Sequence, residues 1–296
     1  MISSNKSNPF FQGTLKQSVS FKGKGLHTGK RSSITILPSG INTGIVFKRI
    51  DKIGKNTEIS AHWRNTKQLP LCTCIASLNG DIQVRTIEHL MAAFYACGID
   101  NALVEIKGAE LPILDGSSKE FVEGLVFAGV IQQSAIKKEF VVSKTFEVKE
   151  GSAFIKIEPA DTLIVDVTIF LRDIGRLNWS GEMKPEIFTE EISSARTFGR
   201  LKNGLLAQLT RFSKDPICLG ANTKSAVVVY GGDQVLNKGG LRMPDEYVRH
   251  RLLDLVGDLM LSGGHIKGKI TAVSPAHRMT HALLEKIFTE DGYTSR

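Results

Sequence analysis

The pentapeptide His250-Arg251-Leu252-Leu253-Asp254 lies inside a stretch, residues 244–261, whose pattern predicts a long helix. Pro244 and the two acidic residues after it suit the first turn of that helix. Residues four apart stack on one face of a helix, so the imidazole of His250 and the carboxylate of Asp254 are predicted to project side by side. One rigid element therefore carries two potential metal ligands.

The rest of this helix separates into an apolar arc and a polar arc. At about 100° per residue, Tyr247, His250, Asp254 and Asp258 gather on one side, and the leucines fill the other. A solvent-exposed face is the ordinary interpretation of a charged stripe. Taken alone, the pair is weak evidence for a metal site.

A second candidate is the adjacent pair Glu88-His89, at the start of a helix predicted over residues 87–97. His89 as a third ligand, with Glu88 as a neighbouring base, would complete a zinc site with an open position, as in metal-dependent hydrolases. The second histidine of the zincin motif would fall at position 92, which is Ala92, so that motif is absent. A capping or surface role for Glu88-His89 is the competing interpretation.

The two halves of the chain echo each other faintly. Helix, glycine and strand over residues 87–107 resemble residues 247–271 in order, with a histidine early in each helix. This predicts a duplicated α+β unit whose helices meet at a pseudo-symmetric interface, which would bring His89 towards His250 and Asp254. A polar stretch at 132–139 sets the predicted boundary, so residues 1–135 form the first domain and residues 136–296 the second.

Alternating apolar residues and turn signals predict the remaining elements. The turn at Asn79-Gly80-Asp81 predicts a hairpin. Strands are predicted at residues 14–21, 32–37, 44–50, 101–107, 140–148, 153–157, 163–169, 226–230 and 266–273. Further helices are predicted at residues 119–128, 186–194 and 277–288.

The composition is that of an ordinary globular protein with a basic balance. The 296 residues are 42% hydrophobic and carry a formal net charge of +8, with a pI near 9.3. This charge favours an anionic partner such as a phosphate-bearing substrate, a nucleic acid or an acidic membrane surface. Aromatic residues make up only 7% and are not interleaved with basic clusters, which argues against nucleic acid.

Residues 1–12 are polar and lack the apolar core of a secretory signal, and no stretch reaches the roughly 18 apolar residues of a spanning helix. We therefore expect a cytoplasmic protein without stable membrane insertion. The four cysteines lack the spacing of structural zinc sites, so reduced thiols are expected.

Eight short motifs occur in order along the chain: Leu26-His27-Thr28-Gly29, Leu71-Cys72-Thr73-Cys74, Thr86-Ile87-Glu88-His89-Leu90, Gly98-Ile99-Asp100-Asn101, Ile113-Leu114-Asp115-Gly116-Ser117, Ala195-Arg196-Thr197-Phe198-Gly199, Cys218-Leu219-Gly220, and Val248-Arg249-His250 through Asp254 to Gly257-Asp258. Together they resemble the UDP-3-O-acyl-N-acetylglucosamine deacetylases, zinc enzymes of the committed step in bacterial lipid A synthesis. The resemblance runs over residues 14–288.

The resemblance implies a two-domain fold, in which each domain is a β-sheet against two helices and the helices pack between the sheets. It also implies one metal ion, zinc or in the cell Fe²⁺, bound by His89, His250 and Asp254. Glu88 would be the general base.

Three further residues receive catalytic roles by the same resemblance. The Thr197 hydroxyl would hold the oxyanion, His277 would be the acid that protonates the leaving amine, and Asp258 would orient His277. From the residues alone, His277 is a surface residue at a helix start.

The implied partner is the acylated UDP-sugar substrate, bound by a monomer. The expected substrate contacts are Leu71, Cys72, Phe198 and Arg251. Arg251 occupies the position where the family commonly has a phosphate-binding lysine. For Phe198, an ordinary role in the hydrophobic core is the alternative. The insertion at residues 198–229 corresponds to the family's acyl passage. Residues 201–216 are longer than expected there, so chain-length preference stays open.

Two other functional classes remain at this point. One is a zinc deacetylase that acts on another N-acetylated sugar. The other is a basic RNA-binding protein without catalysis.

Overall fold

The computed structural model describes residues 10–54 and 57–295, so most of the polar segment 1–12 lies outside the described residues. Helices and strands are mixed along the chain and pack as sheets against helices, which confirms the predicted α+β class. Within the described residues, no helix is both long enough and apolar enough to cross a membrane.

The strands, in chain order, are β1 Phe11–Leu15, β2 Val19–Lys24, β3 Arg31–Pro38, β4 Ile45–Arg49, β5 Glu58–Ser60, β6 Cys74–Ala76, β7 Gln83–Arg85, β8 Ala102–Lys107, β9 Val130–Ile136, β10 Glu139–Val142, β11 Phe146–Glu150, β12 Ala153–Glu158, β13 Leu163–Leu171, β14 Gly175–Glu182, β15 Phe198–Arg200, β16 Val227–Val229, β17 His265–Val273 and β18 Tyr293–Ser295. The helices are α1 Glu88–Cys97, α2 Lys119–Ala128, α3 Pro185–Ile187, α4 Leu201–Ala207, α5 Glu246–Leu259 and α6 His277–Thr289.

The first sheet has five strands in the order β2-β3-β8-β4-β5. In β3, Ile34 and Ile36 are buried, whereas Ser33 and Thr35, which alternate with them, are partly exposed. Because successive side chains of a strand point to opposite faces, this alternation gives the sheet one apolar face for the helices. β8 lies at its centre, antiparallel to β3 and parallel to β4.

The second sheet has seven strands and is organised around β17, which pairs with β10, β12 and β13. The element order of the two halves repeats as predicted. Helix α1 ends at Gly98 (φ +67°) and leads into β8, and helix α5 leads through Gly263 (φ +77°) into β17. Glycine suits both positions because a left-handed backbone costs it little.

Helices α1, α2, α5 and α6 lie between the two sheets. α2 packs against β2 of the first sheet, α6 packs against β11 and β12 of the second, and α1 packs directly on α5. At this crossing a Cβ atom on Gly257 would overlap the backbone carbonyl of Glu88. The close approach brings the start of α1 against the middle of α5.

Several predicted elements were wrong in extent. Residues 14–21 are not one strand: β1 pairs with β9, and β2 pairs with β3. Most of the polar stretch 132–139 is strand: β9 pairs with β1 in a two-stranded sheet, and four of its seven side chains are exposed. Residues 140–148 divide into β10 and β11. The helix expected at 186–194 is only α3 followed by a π-helical turn, Phe188–Ile192.

Strand β14 was not predicted at all. It forms a hairpin with β13, and only Trp179 among its eight residues is buried. Its apolar residues, Leu177 and Trp179, alternate with polar ones, but two apolar positions are too short a run for the pattern to predict a strand.

The domain boundary after residue 135 stays a prediction. Strand pairing supports it, because β9 pairs with β1, whereas β10 pairs with β17 and β18 of the second sheet.

We expect Gly257→Ala to lower the free energy of unfolding by about 1–3 kcal/mol, because the added methyl group must push α1 and α5 apart. The measurement is urea unfolding followed by circular dichroism. Gly204→Ala in α4 is the matched control, since a Cβ there meets nothing within 4 Å. It should leave stability unchanged or raise it by about 0.5–1 kcal/mol, as for alanine in a helix. Equal effects of the two substitutions would contradict a tight helix crossing.

Candidate metal centre

Three potential ligand atoms converge where α1 crosses α5. His89 Nε2 lies 3.7 Å from Asp254 Oδ1, and His250 Nε2 lies 3.4 Å from the same oxygen. All three residues are buried, and their ligand atoms fall within 4.8 Å of one another. The structure thus brings together the two ligands predicted on one helix and the third predicted on another.

The polar arc of α5 faces the other helices and not solvent. His250 is 3% exposed, Asp254 5% and Asp258 1%. The solvent-exposed interpretation of this stripe is therefore wrong, because the helix is covered on its polar side by α1 and α6.

Both histidines are prepared to act as neutral ligands. Burial, with the nearby His250 adding to it, lowers the pKa of His89 to about 3. Burial likewise lowers the pKa of His250 to about 3. His250 Nδ1 lies 3.1 Å from the Ala195 carbonyl, which can only accept, so Nδ1 carries the proton and Nε2 presents its lone pair to the cluster.

The donor set fits a tetrahedral metal ion. With bonds of 2.0–2.1 Å, neighbouring ligand atoms in such a site are separated by about 3.3 Å, close to the two distances observed. His89 Nδ1 is buried without a hydrogen-bond partner among the described residues, so its ring is not consumed by another interaction. Two imidazoles and one carboxylate leave a fourth position for water or substrate.

Glu88 lies beside the ligand cluster at the start of α1. Its Oε2 accepts a hydrogen bond from the backbone N–H of Thr73 at 3.0 Å, and its Oε1 lies 4.0 Å from His277 Nε2. Burial raises the pKa of Glu88 to about 8. A carboxylate with such a pKa is suited to accept a proton near neutral pH.

His277 opens α6 on the other side of the cluster. Its Nδ1 donates to Asp258 Oδ2 at 2.8 Å, which leaves Nε2 directed towards Glu88 and Asp254, at 4.0 Å from each. Burial by itself would lower the pKa of His277, but the Asp258 charge and hydrogen bond outweigh it and raise the pKa to about 10. The chain therefore holds a histidine cation beside the candidate ligands.

Sequence reasoning gave no role to Thr73 or His281, which complete this network. The Thr73 hydroxyl donates to Asp258 Oδ1 and lies 3.1 Å from His277 Nδ1 and 3.2 Å from His281 Nε2. Burial alone would raise the pKa of Asp258, but the adjacent histidines outweigh it and lower that pKa. The motif Leu71-Cys72-Thr73-Cys74 contains Thr73, but it does not indicate which residue Thr73 contacts.

The segment 195–198 lies against His250. An ion pair fixes it to the first turn of α5, where Arg196 Nε donates to the buried Glu246 carboxylate at 2.7 Å. Thr197 is half-buried and held by its backbone, which donates to the Gly116 carbonyl and accepts from Val227. The next residue, Phe198, lies beside the ligand cluster, with its ring centre 6.1 Å from that of His250.

Arg251 contacts the candidate ligand Asp254 and is itself partly exposed. Its Nη1 donates to Asp254 Oδ2 at 3.0 Å, and its guanidinium lies 5.7 Å from the centre of the Phe198 ring. With 29% of its side chain exposed, Arg251 can still reach a bound molecule.

The two remaining predicted contacts are placed differently from each other. Leu71 is 65% exposed, whereas Cys72 is 1% exposed. Burial raises the pKa of the Cys72 thiol, so this residue is a buried neutral group.

Three candidate metal ligands, with a buried carboxylate on one side and a histidine cation on the other, form an arrangement typical of a metal-dependent hydrolase. Comparison with known proteins agrees with this class. The family described as UDP-3-O-acyl N-acetylglycosamine deacetylase matches residues 12–289.

Curated proteins named UDP-3-O-acyl-N-acetylglucosamine deacetylase are similar over nearly the whole chain. Those from Geobacter sp. (strain M21) and Citrifermentans bemidjiense are each 39% identical over 287 residues, covering 96% of this chain and 91% of theirs. That from Wigglesworthia glossinidia brevipalpis is 36% identical over 282 residues, covering 94% and 92%. The chain belongs to the UDP-3-O-acyl-N-acetylglucosamine deacetylase family.

We expect His89→Ala and His250→Ala each to lower zinc affinity at least about tenfold. Loss of a group that only hydrogen-bonds to a metal ligand already lowers metal affinity about 10–100-fold, and loss of a ligand should cost no less. Metal content after dialysis, measured by plasma mass spectrometry, tests this. His62→Ala is the control, because His62 caps a short 3₁₀ turn by accepting from the backbone of Arg64. Full zinc retention by both ligand variants would remove these histidines from the site.

Proposed function

We propose that this protein hydrolyses the N-acetyl group of UDP-3-O-acyl-N-acetylglucosamine, releasing acetate and UDP-3-O-acyl-glucosamine in the committed step of lipid A biosynthesis. The observation that carries the proposal is the convergence of His89, His250 and Asp254 with Glu88 and His277 in a chain of this family. The reaction is an amide hydrolysis by water.

The metal is proposed to be one zinc ion per chain, with Fe²⁺ as the alternative in the cell. Imidazole suits both ions, and a nitrogen and oxygen donor set of this kind is typical of catalytic zinc. When bound, the metal lowers the pKa of water to about 7 and polarises a carbonyl as a Lewis acid.

Glu88 is assigned as the general base. Its Oε2 is held by the Thr73 N–H, so Oε1 is the atom that accepts the proton of the attacking water. The raised pKa of Glu88 supports this role, because general bases work best when their pKa lies near the operating pH. The oxygen of that water adds to the acetamide carbonyl carbon, and the Thr197 hydroxyl is assigned as a donor to the resulting oxyanion.

His277 is assigned as the general acid. Asp258 and Thr73 hold its Nδ1, so the proton on Nε2 is the one that reaches the nitrogen of the breaking C–N bond. An amine leaves readily only when it is protonated, and the raised pKa of His277 keeps that proton available. The cation also stabilises negative charge that develops beside it before the transfer.

The substrate contacts are assigned to Arg251, Phe198, Leu71 and Cys72. Arg251 is suited to the diphosphate because its fork matches phosphate oxygens, although its geometry differs from that of the family's lysine. Leu71 offers an exposed apolar side chain, whereas Cys72 is covered and can contribute only through its backbone. The insertion at 198–229 contains α4 and is assigned to the acyl chain. A cytoplasmic monomer remains part of the proposal.

We expect Glu88→Ala and His277→Ala each to lower the rate of acetate release by about 10²–10⁴, the usual contribution of a general base or acid. Both should retain zinc, since neither is a proposed ligand. The measurement combines mass-spectrometric detection of acetate with metal analysis of the same samples. Near-normal turnover in either variant would remove that residue from the mechanism.

The same assay tests the identity of the substrate. The acylated UDP-sugar should be hydrolysed in preference to the form without the acyl chain. Equal rates would favour a deacetylase that acts on another N-acetylated sugar.

Arg251→Ala should weaken binding of the acylated UDP-sugar roughly tenfold, because one charge-assisted hydrogen bond is lost. Zinc content should change little, since Arg251 contacts only the second oxygen of Asp254. Calorimetric titration of a Glu88→Ala background measures binding without turnover. Arg249→Ala is the control, because Arg249 is engaged with Asp245 at the start of its own helix and with Glu191 of the π-helical turn Phe188–Ile192. Unchanged affinity in the Arg251 variant would exclude Arg251 as a contact of the diphosphate.

A further inference from the structure

A cavity of about 610 Å³ lies between the first sheet and the insertion. Its walls are the loop at 28–32, the ends of β4, β7 and β8, and part of the segment 211–219. The lining residues between 211 and 219 belong to the insertion assigned to the acyl chain, but none of the individual residues assigned to the metal centre or to the substrate lines the cavity. Its volume falls in the range of about 300–1,000 Å³ that is usual for small-molecule sites.

Positive charge dominates the lining of this cavity. Two carboxylates, Asp51 and Glu110, face six cationic side chains, Lys30, Arg31, Arg49, Arg85, Arg211 and Lys214.

Both carboxylates are already engaged. Asp51 forms a bidentate pair with Arg49, with both distances 2.8 Å. Glu110 accepts hydrogen bonds from the backbone N–H groups of His27 and Thr28 and from the hydroxyls of Thr28 and Thr86. The cations at the rim therefore retain their capacity to bind an anion from outside.

Arg85 shows the same excess of positive charge inside the protein. Its side chain is 1% exposed, and its nearest carboxylate oxygen, on Asp215, lies 3.9 Å from Nη1. Nη2 donates to the Pro216 carbonyl at 3.2 Å, and Nε is buried without a hydrogen-bond partner among the described residues. The charge of the buried Arg85 is therefore only partly neutralised. An anion in the adjoining cavity would stabilise it.

Apolar side chains stand beside this basic surface. Leu209 is 82% exposed and Phe212 is 95% exposed, and they flank Arg211 on the segment that closes the cavity. Guanidinium forks suit phosphate oxygens, and exposed apolar residues beside them suit an acyl chain.

We propose that this cavity is a binding site for a phosphate-bearing anion, separate from the catalytic centre. The same chemistry is offered by a free phosphorylated molecule and by the headgroup of a phospholipid. Lys30 and Lys214 at the rim, which are both exposed, are the cations that the ligand contacts first.

The test uses the full chain and two probes, inorganic pyrophosphate in calorimetric titration and sedimentation with vesicles. The vesicles contain either phosphatidylglycerol with phosphatidylcholine or phosphatidylcholine alone. We expect Lys30→Ala with Lys214→Ala to weaken pyrophosphate binding roughly tenfold. Lys16→Ala with Lys238→Ala removes the same charge from exposed positions outside the cavity lining and should leave binding unchanged.

The vesicle arm separates the two sources. If a headgroup is bound, the cavity pair abolishes sedimentation with phosphatidylglycerol vesicles, and Phe212→Ser reduces it without changing pyrophosphate binding. If a free phosphate is bound, only the pyrophosphate titration responds to the cavity pair.

Three results would overturn the site. They are equal loss of binding in the cavity and control pairs, no binding of either probe by the unmodified chain, and pyrophosphate binding that disappears in Arg251→Ala but persists in the cavity pair. The last result would place the anion at the catalytic centre and would leave the proposed deacetylation untouched.

Discussion

The contact between α1 and α5 at Gly257 is the constraint on which the rest of the structure depends. The backbone of Glu88 lies so close to Gly257 that a side chain larger than hydrogen would overlap it. This approach sets the spacing between Glu88-His89 on one helix and His250, Asp254 and Asp258 on the other. Polar side chains held by two packed helices need not move during a reaction. Groups fixed in this way stabilise developing charge without a cost of reorganisation.

Burial at this crossing has opposite consequences for groups of different kinds. It keeps His89 and His250 neutral and therefore able to bind a metal, and it raises the pKa of Glu88 towards neutrality. The pKa of His277 is raised instead, because the buried Asp258 supplies a negative charge at hydrogen-bond distance. One desolvated interface thus holds two neutral histidines, a carboxyl group of raised pKa and a histidine cation, and the partner that each side chain meets distinguishes them.

Most regular elements were predictable because their apolar spacing matches a helix or a half-buried strand. The hairpin of β6 and β7, helices α1, α2, α5 and α6, and strands β3, β4, β8 and β17 follow such patterns closely. Two of the errors, at β9 and β14, fall on strands with few buried side chains, which backbone pairing holds in place. The same holds for the polar network around His277, because Thr73 contacts Asp258 and His281, which are 185 and 208 positions away and which no local pattern connects to it.

By itself, the sequence determined the placement of His250 and Asp254 on one helical face, because helical periodicity is a local property of the chain. Its ordered motifs also determined the family and, through it, the candidate ligands and the base. Only the tertiary structure decided that the polar stripe of α5 is buried and not solvated, and that Thr73 and His281 join Asp258 and His277. Those outcomes depend on which surfaces two helices from opposite halves of the chain bury against each other. Burial and pairing across such an interface arise only when the chain is folded, because the groups involved are remote from one another in the sequence.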